Sequence, residues 1–352
     1  MYLKYSKIIK DICVSVLFSV VLINKLFAQD FHYSQFYNTP IAQNPAFTGK
    51  FPADYRVGGA YRSQWRQINA TFATTSVFAD INYRLDEAGI HKVGVGLMVV
   101  NDQLGDGIYS NQYYWASAAY HRVLDRLRRH KVSTGIQLGF VQKNINDQNL
   151  YFASQIDNYQ VTTNPSGENS ATSFGYINFN AGAVWDYDVN ARLDIYLGAS
   201  IYNINRPKET ILSSSNRLNY RTNYNLGANY QLTRSVSLLP AIQFTQQMKA
   251  IDFAPGAAVG YSILNGKLKT GTVMLGYWYR TRDASIVYGG LKYKHYQLGL
   301  SYDITNSSLN DIKKVPEIGR TKNVGAFEIT FIYLGFLKRA LPNELTVPCR
   351  FF

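Results

Sequence analysis

Histidines, arginines and aspartates are the residues of this chain best able to do chemistry, and their spacing decides what kind. His32, His91, His121, His130 and His295 stand apart, with no H-E-x-x-H pair and no Cys/His cluster, so zinc chemistry has no ligand set. Neither a G-x-S-x-G elbow nor a P-loop pattern occurs. No nucleophile is placed beside a base, so the sequence points away from catalysis and calls for no cofactor or metal. "NDQLGDG" (101–107) puts Asp102 and Asp106 beside two glycines. Carboxylates and turn carbonyls suit calcium, but the full ligand pattern of a calcium loop is missing, and a Gly-rich hairpin turn is the expectation. "DRLRRHK" (125–131) packs Arg126, Arg128, Arg129 and Lys131 together, suited to an acidic partner subunit or to anionic headgroups.

Recognition by aromatic rings is the other chemistry on offer. "YSQFYNTPIAQNPAFTG" (33–49) is too rich in Pro and Asn for a regular helix, and Pro40 and Pro45 each remove a ladder donor that an inner strand needs. Phe31, Tyr33, Phe36, Tyr37 and Phe47 would be an association liability on a free leader. They are expected to pack on an inner wall or a partner, with Asn44-Pro45 and Gly49 turning the chain. Tyr37, Asn44, Pro45 and Phe47, with Arg62 and Trp65 further on, form the candidate docking set. The plainer alternative is a leader that only hands the chain to the first strand.

The elements that must position these residues begin with an export signal. Lys4, Lys7 and Lys10 precede an apolar run from Ile12 to Ile23 and then "NKLFAQD", the layout of a signal peptide over residues 1–28. The run is too short to span a bilayer, which takes about 20 residues. Removing it takes away four lysines and Asp11, lowering the formal charge from +13 to +10, and leaves Cys349 as the one cysteine, so no intrachain disulfide is expected. An exported basic protein meets lipid headgroups or acidic proteins rather than nucleic acid.

Composition and period then point to one fold class. With 28 Tyr, 19 Phe and 26 Gly, and a mean hydropathy of −0.18, the chain suits strands that wet one face and grease the other. In "RLNYRTNYNLGANYQL" Leu218, Tyr220, Tyr224 and Leu226 alternate with Asn219, Arg221, Asn223 and Asn225. "RLDIYLGASIYNI" and "FGYINFNAGAVWDY" repeat the pattern, with Ile195 and Phe179 on the dry side. Such segments are about twice the usual soluble strand. Spacing gives about fourteen of them in a transmembrane antiparallel β-barrel, an all-β fold. They are expected to start near Asp54, Thr71, Lys92, Ile108, Lys131, Ser173, Arg192, Arg217, Ser235, Asp252, Thr270, Ala284, Tyr296 and Asn323. An even number returns both termini to the periplasm and leaves no edge open to lipid. The organisation is therefore a 29–53 segment, periplasmic or in the barrel mouth, followed by a barrel over 54–352 with a short tail.

On that register Arg56, Arg62, Asp80, Arg84, Arg192, Asp194, Arg221, Arg280 and Asp303 point into the lumen. Charges of both signs there would form a plug-like network, a polar wall for a bound segment, or a plain hydrated interior, since about fourteen strands enclose more than side chains fill.

"YSQFYNTPIAQNPAFTG", "YRVGGAYRSQW", "LGLSYDITNSSL" and the final "PCRFF" together resemble the PorP/SprF family of type IX secretion proteins of the Bacteroidetes, in the family's order and over nearly the whole mature chain. The resemblance implies an outer-membrane barrel that works with secretion or gliding-motility machinery subunits, or that partners a large secreted protein such as an adhesin through its C-terminal sorting domain. The competing function is a passive porin or hydrophobic-solute channel.

Overall fold

The computed structural model describes residues 31–66, 71–105, 107–146, 156–157, 160–161, 173–211, 214–265, 268–306 and 325–337. Fourteen strands close into one antiparallel barrel. They are β1 (Tyr55–Gln64), β2 (Phe72–Arg84), β3 (His91–Leu104), β4 (Tyr109–Val123), β5 (His130–Ile145), β6 (Ser173–Asn190) and β7 (Leu193–Tyr202). The circuit continues with β8 (Arg221–Gln231), β9 (Val236–Gln247), β10 (Ala250–Asn265), β11 (Leu268–Arg280), β12 (Ala284–Tyr293), β13 (Tyr296–Thr305) and β14 (Gly325–Gly335). β14 returns to β1 from Tyr55↔Gly335 to Gln64↔Ala326, so the ladder has no open edge. Lipid offers no hydrogen bonds, and closure is how a sheet satisfies its backbone there.

The expected strand starts lie close to the observed ones. The largest offset is at β8, expected from Arg217 but beginning at Arg221, because Ser214–Arg217 pairs instead with Lys208–Ile211 in a small hairpin outside the barrel. Side chains alternate across the wall. In β8, Tyr224 and Leu226 face out while Arg221, Asn223 and Asn225 are buried inside. Phe179 is exposed on β6 as expected. Leu218 is a correction: it lies before β8 begins, and packs against the inner core cluster rather than lipid.

The two ends of the barrel differ. At the turn end, short connections such as 85–90, 124–129 and 191–192 join neighbouring strands. The first and last strands begin and end there, where the Leu337 amide donates to Asp54 Oδ2 at 2.8 Å. At the loop end β5, β7 and β13 finish, and the strands that follow them begin only at Ser173, Arg221 and Gly325.

The segment of 31–54 before β1 lies inside the barrel. It runs through the lumen, from Phe31 against Tyr113 near the loop end of β4 to Asp54 at the turn end. The sequence reading excluded a regular helix, yet the segment forms single helical turns at Phe36–Asn38, Pro40–Gln43 and Pro45–Phe47. Pro40 and Pro45 each sit at the start of a turn, where the missing N–H costs nothing, and the Asn44 side chain accepts the Ala46 amide at 2.9 Å.

A plugged lumen as the candidate functional site

Three sets of contacts hold this plug to the wall. Near the loop end, Glu328 accepts the Ser34 amide at 2.7 Å and the Gln35 amide at 3.0 Å. Ser34 Oγ donates to Asp303 at 2.6 Å, and Arg62 and Arg280 reach the same carboxylate at 2.9 and 3.2 Å. Arg280 also pairs with Asp283 at 3.1 Å and Asp252 at 3.5 Å, so each buried guanidinium is shared between carboxylates, which is what makes its burial tolerable. Asn38 continues the contact by donating to Thr330 at 2.9 Å.

Midway, Asn44 donates to the carbonyls of Ala183 and Ala199, both at 3.1 Å, and Ser200 and Asn223 donate to the Gln43 carbonyl. Close approach is possible because the wall is thin here. A Cβ on Gly135 would overlap the Pro45 backbone, and one on Gly182 would overlap Asn44.

Toward the turn end, Asp80 accepts the Gly49 amide at 2.7 Å and binds Arg56 through two bonds, at 2.9 and 2.6 Å. Arg56 also donates to the Phe47 carbonyl at 3.2 Å. Lys50 pairs with Asp186 at 2.5 Å, its ammonium also lying over the rings of Phe47 and Tyr196. His121 Nε2 donates to the Thr48 carbonyl at 2.9 Å.

Apolar packing divides the plug between two clusters. Tyr33 and Ile41 join Phe78, Met98, Tyr113 and Trp115 on the β2–β4 side. Phe36 and Tyr37 meet Trp278 and Tyr288 on the other, with Tyr37 and Trp278 ring centroids 4.8 Å apart. On this second side the lumen wall is apolar, not polar as a generic interior would be: Leu239, Ala241, Ala258, Met274 and Ile286 all face inward. A cleft lies between this wall and the plug.

Six of the expected lumen residues, Arg56, Arg62, Asp80, Arg221, Arg280 and Asp303, are buried inside the barrel. All but Arg221 belong to the plug contacts above, while Arg221 stacks on the Tyr202 ring at 4.2 Å. Asp194 is half-buried. Arg84 and Arg192 are corrections: Arg84 has the inward parity of β2 but ends the strand in solvent, and Arg192 is an exposed turn residue outside the strands.

The expected docking set does not form one accessible patch. Asn44 and Pro45 are buried against the wall, Tyr37 and Phe47 pack inside the lumen, and Arg62 belongs to the cluster around Ser34. Trp65 stands at the loop end against Phe72, at 5.1 Å between centroids. For all but Trp65 the reason is shared: the barrel interior itself is the surface that these side chains satisfy.

Glu328, fully buried, was missed by the sequence reading, although its place between Phe327 and Ile329 in "AFEITF" gives it inward parity. Asp102 accepts the Thr74 hydroxyl at 2.7 Å; Asp106 lies outside the described residues. Among the described residues, no group of three or more His, Cys, Asp or Glu is placed to hold a metal ion. The "DRLRRHK" turn is exposed at the turn end, where Arg128 donates to the Ala88 carbonyl of the neighbouring turn at 2.7 Å. His91, His130 and His295 sit at this same end beside Tyr120, Trp185 with Tyr187, and Phe336.

Known structures share this architecture at low sequence identity. The Ralstonia pickettii toluene transporter TbuX is 9% identical, with 85% of this chain and 94% of that one covered, at a TM-score of 0.51. A Pseudomonas putida toluene transporter, TodX, is 10% identical over 86% and 94% of the two chains at 0.50, and a Pseudomonas aeruginosa FadL homologue 9% over 88% and 95% at 0.50. Such likeness speaks to the fold alone, an outer-membrane type of barrel. No curated protein matches the chain in sequence. The family model for type IX secretion system membrane protein PorP/SprF matches residues 25–333, taking in the whole plug and all but the last residues of β14, and the chain belongs to that family.

Proposed function

We propose that this barrel is an accessory of type IX secretion that holds or passes on a secreted surface protein, such as a large adhesin, by its C-terminal sorting domain, and so can serve gliding motility. One observation supports this above the others: within a type IX secretion family, the barrel spends its lumen on its own chain, with charged groups tied to the plug rather than lining a water path. On this reading both ends of the barrel domain face the periplasm at the turn end, after export by a cleaved signal peptide. The exposed arginines of 125–131 there offer a basic surface to an acidic machinery subunit.

The competing reading is a passive channel for hydrophobic solutes, in keeping with the toluene transporters that share the fold and with the apolar cleft. Affinity purification of the tagged barrel from its native membrane separates the two. The secretion reading expects machinery subunits or a sorting-domain protein to co-purify, and surface display of that protein to fail in a deletion strain. Normal display of every type IX substrate in the deletion strain, with conductance by the isolated barrel, would overturn it.

A further inference from the structure

The cleft beside β9–β12 is greasy where the rest of the lumen is polar. Leu239, Met274, Trp278 and Tyr288 line it from the wall, and Phe36 and Tyr37 from the plug. Trp278 lies flat along the wall, because Gly256 and Gly276 leave no Cβ beneath its indole. Two residues further along β11, the buried Arg280 joins Asp303 in binding Ser34 of the plug, so the cluster described above stands on the loop-end side.

The path of the plug sets the other side. Ser34 and Asn38 bond β13 and β14, and Gln43 and Asn44 cross to β8 and β7. Thr48 and Gly49 then reach toward the turn end along β4 and β2. The cleft lies on the turn-end side of that crossing, with Lys50, Arg56, Tyr196 and Gln297 as its rim. Lys50 and Arg56 are paired with Asp186 and Asp80, so the cleft presents no unmatched charge and suits uncharged rings.

Two rim residues flank the end of the last strand. Arg56 of β1 pairs with Leu334, and Gln297 of β13 pairs with Ile332, one on each side of β14. The chain therefore leaves its last strand, at Gly335, beside the rim. Residues 338–352 follow, outside the described residues, and carry Phe351 and Phe352. Extended, that stretch reaches about 50 Å, far more than the step to a rim on the neighbouring strands. Two adjacent phenylalanines left in water would be an association liability, and an aromatic lining is the surface that removes it.

We propose that the tail of residues 338–352 folds back at the turn end and seats Phe351 and Phe352 in this cleft, against Met274 and Trp278. The plug then fills the lumen from one side and the tail from the other. This inference does not rest on the secretion reading, since a cross-link within one chain decides it whatever the barrel serves.

Cys349 stands two residues before Phe351 and reports where the tail lies, the chain's other cysteine, Cys13, being in the leader. In the full-length barrel, Gln297→Cys puts a second thiol inside the rim, while Lys294→Cys puts one on the exposed turn just outside it. A free tail meets the exposed thiol first, whereas a docked tail meets the rim. Under mild oxidation, peptide mass spectrometry is expected to find Cys349 bridged to position 297 and the bridge to position 294 lost. A faster bridge to position 294, or none to position 297, would overturn the docking. A second measurement follows Trp278 emission, taken as the difference between wild type and Trp278→Phe. Phe351→Ser with Phe352→Ser should shift it to longer wavelength as water replaces the rings, in a barrel shown to be inserted by its heat resistance on gels. Unchanged emission would overturn the docking too, and the cross-link, made with the tail unaltered, decides the matter where the double variant fails to insert.

Discussion

Glu328 carries more of the plug than any other single side chain, since its two oxygens take two consecutive backbone amides, those of Ser34 and Gln35. Replacing it with Ala leaves both amides and the Arg62 guanidinium short of a partner in a buried site, a change expected to cost about 3–5 kcal/mol. The barrel ladder is untouched, so the loss should appear as release of the plug's loop-end half rather than as unfolding. A thiol introduced by Ser34→Cys should react slowly with a soluble reagent in the parent and fast in the Glu328→Ala background. Equal rates would place the anchoring elsewhere. A second residue-scale contrast tests the wall. Leu226 is 44% exposed on the outer face and its neighbour Asn225 is 2% exposed on the inner one. Leu226→Arg should therefore destabilise the inserted barrel by about 2–4 kcal/mol, and Asn225→Arg by far less, in a folding assay.

At the scale of elements, the strands were legible and the plug was not, for a physical reason. A strand between lipid and a wet lumen must alternate, so "RTNYNLGANYQ" declares both its period and its two faces. The plug has no period because each residue answers to a different part of the wall: Asn44 to carbonyls, Gly49 to Asp80, Phe47 to Tyr196. Its aromatic density signalled that it docks, but the site is written in distant glycines and carboxylates, among them Gly135, Gly182 and Glu328, which contact it only after the barrel closes. The apolar lumen wall of β9–β12 was hidden for another reason. Strands greasy on both faces lose the alternation that distinguishes inside from out. Turns, by contrast, carry their own chemistry. Asp86 accepts the amides of Ile90 and His91, and Asp125 those of Arg129 and His130, in the same geometry. The His91 amide foremost, and the His130 amide in the second turn, hold these carboxyls below their ordinary range. A carboxylate lowered by folding stabilises the turn above its unfolded value, and that contribution is lost as pH falls through the folded one. Protection factors of the four amides should fall below about pH 4, near the ordinary carboxylate value, and Asp86→Asn should remove the pH dependence at Ile90 and His91 alone. Unchanged protection through acid would mean that the turns are held by their strands.

At the scale of the molecule, the design is a barrel with two unlike ends and a plug tied to both. The longest stretches of sequence between strands depart from and return to one end, and outer-membrane barrels keep their longer loops outside. A cysteine at Ser214 should therefore react with an impermeant reagent on intact cells, and one at Arg126 only after the outer membrane is breached. Reversed labelling would invert the barrel and put the basic turn outside. Tyr37 and Phe47 decide what the plug is for. Both pack within the lumen and both line the cleft, Tyr37 against Trp278 and Phe47 against Tyr196. Truncating both to Ala should loosen the plug by about 2 kcal/mol each, less than for a fully enclosed ring, since one side of each faces open space. Neither ring takes part in the ladder, so the barrel should stay inserted and resist heat on gels as before. If the plug positions a partner, surface display of the type IX substrate should drop in the double variant while conductance stays low. A passive channel would behave in the opposite way, with surface proteins unchanged and current through the isolated barrel raised. Full display of every substrate in the double variant would leave the barrel as described but remove the plug from secretion.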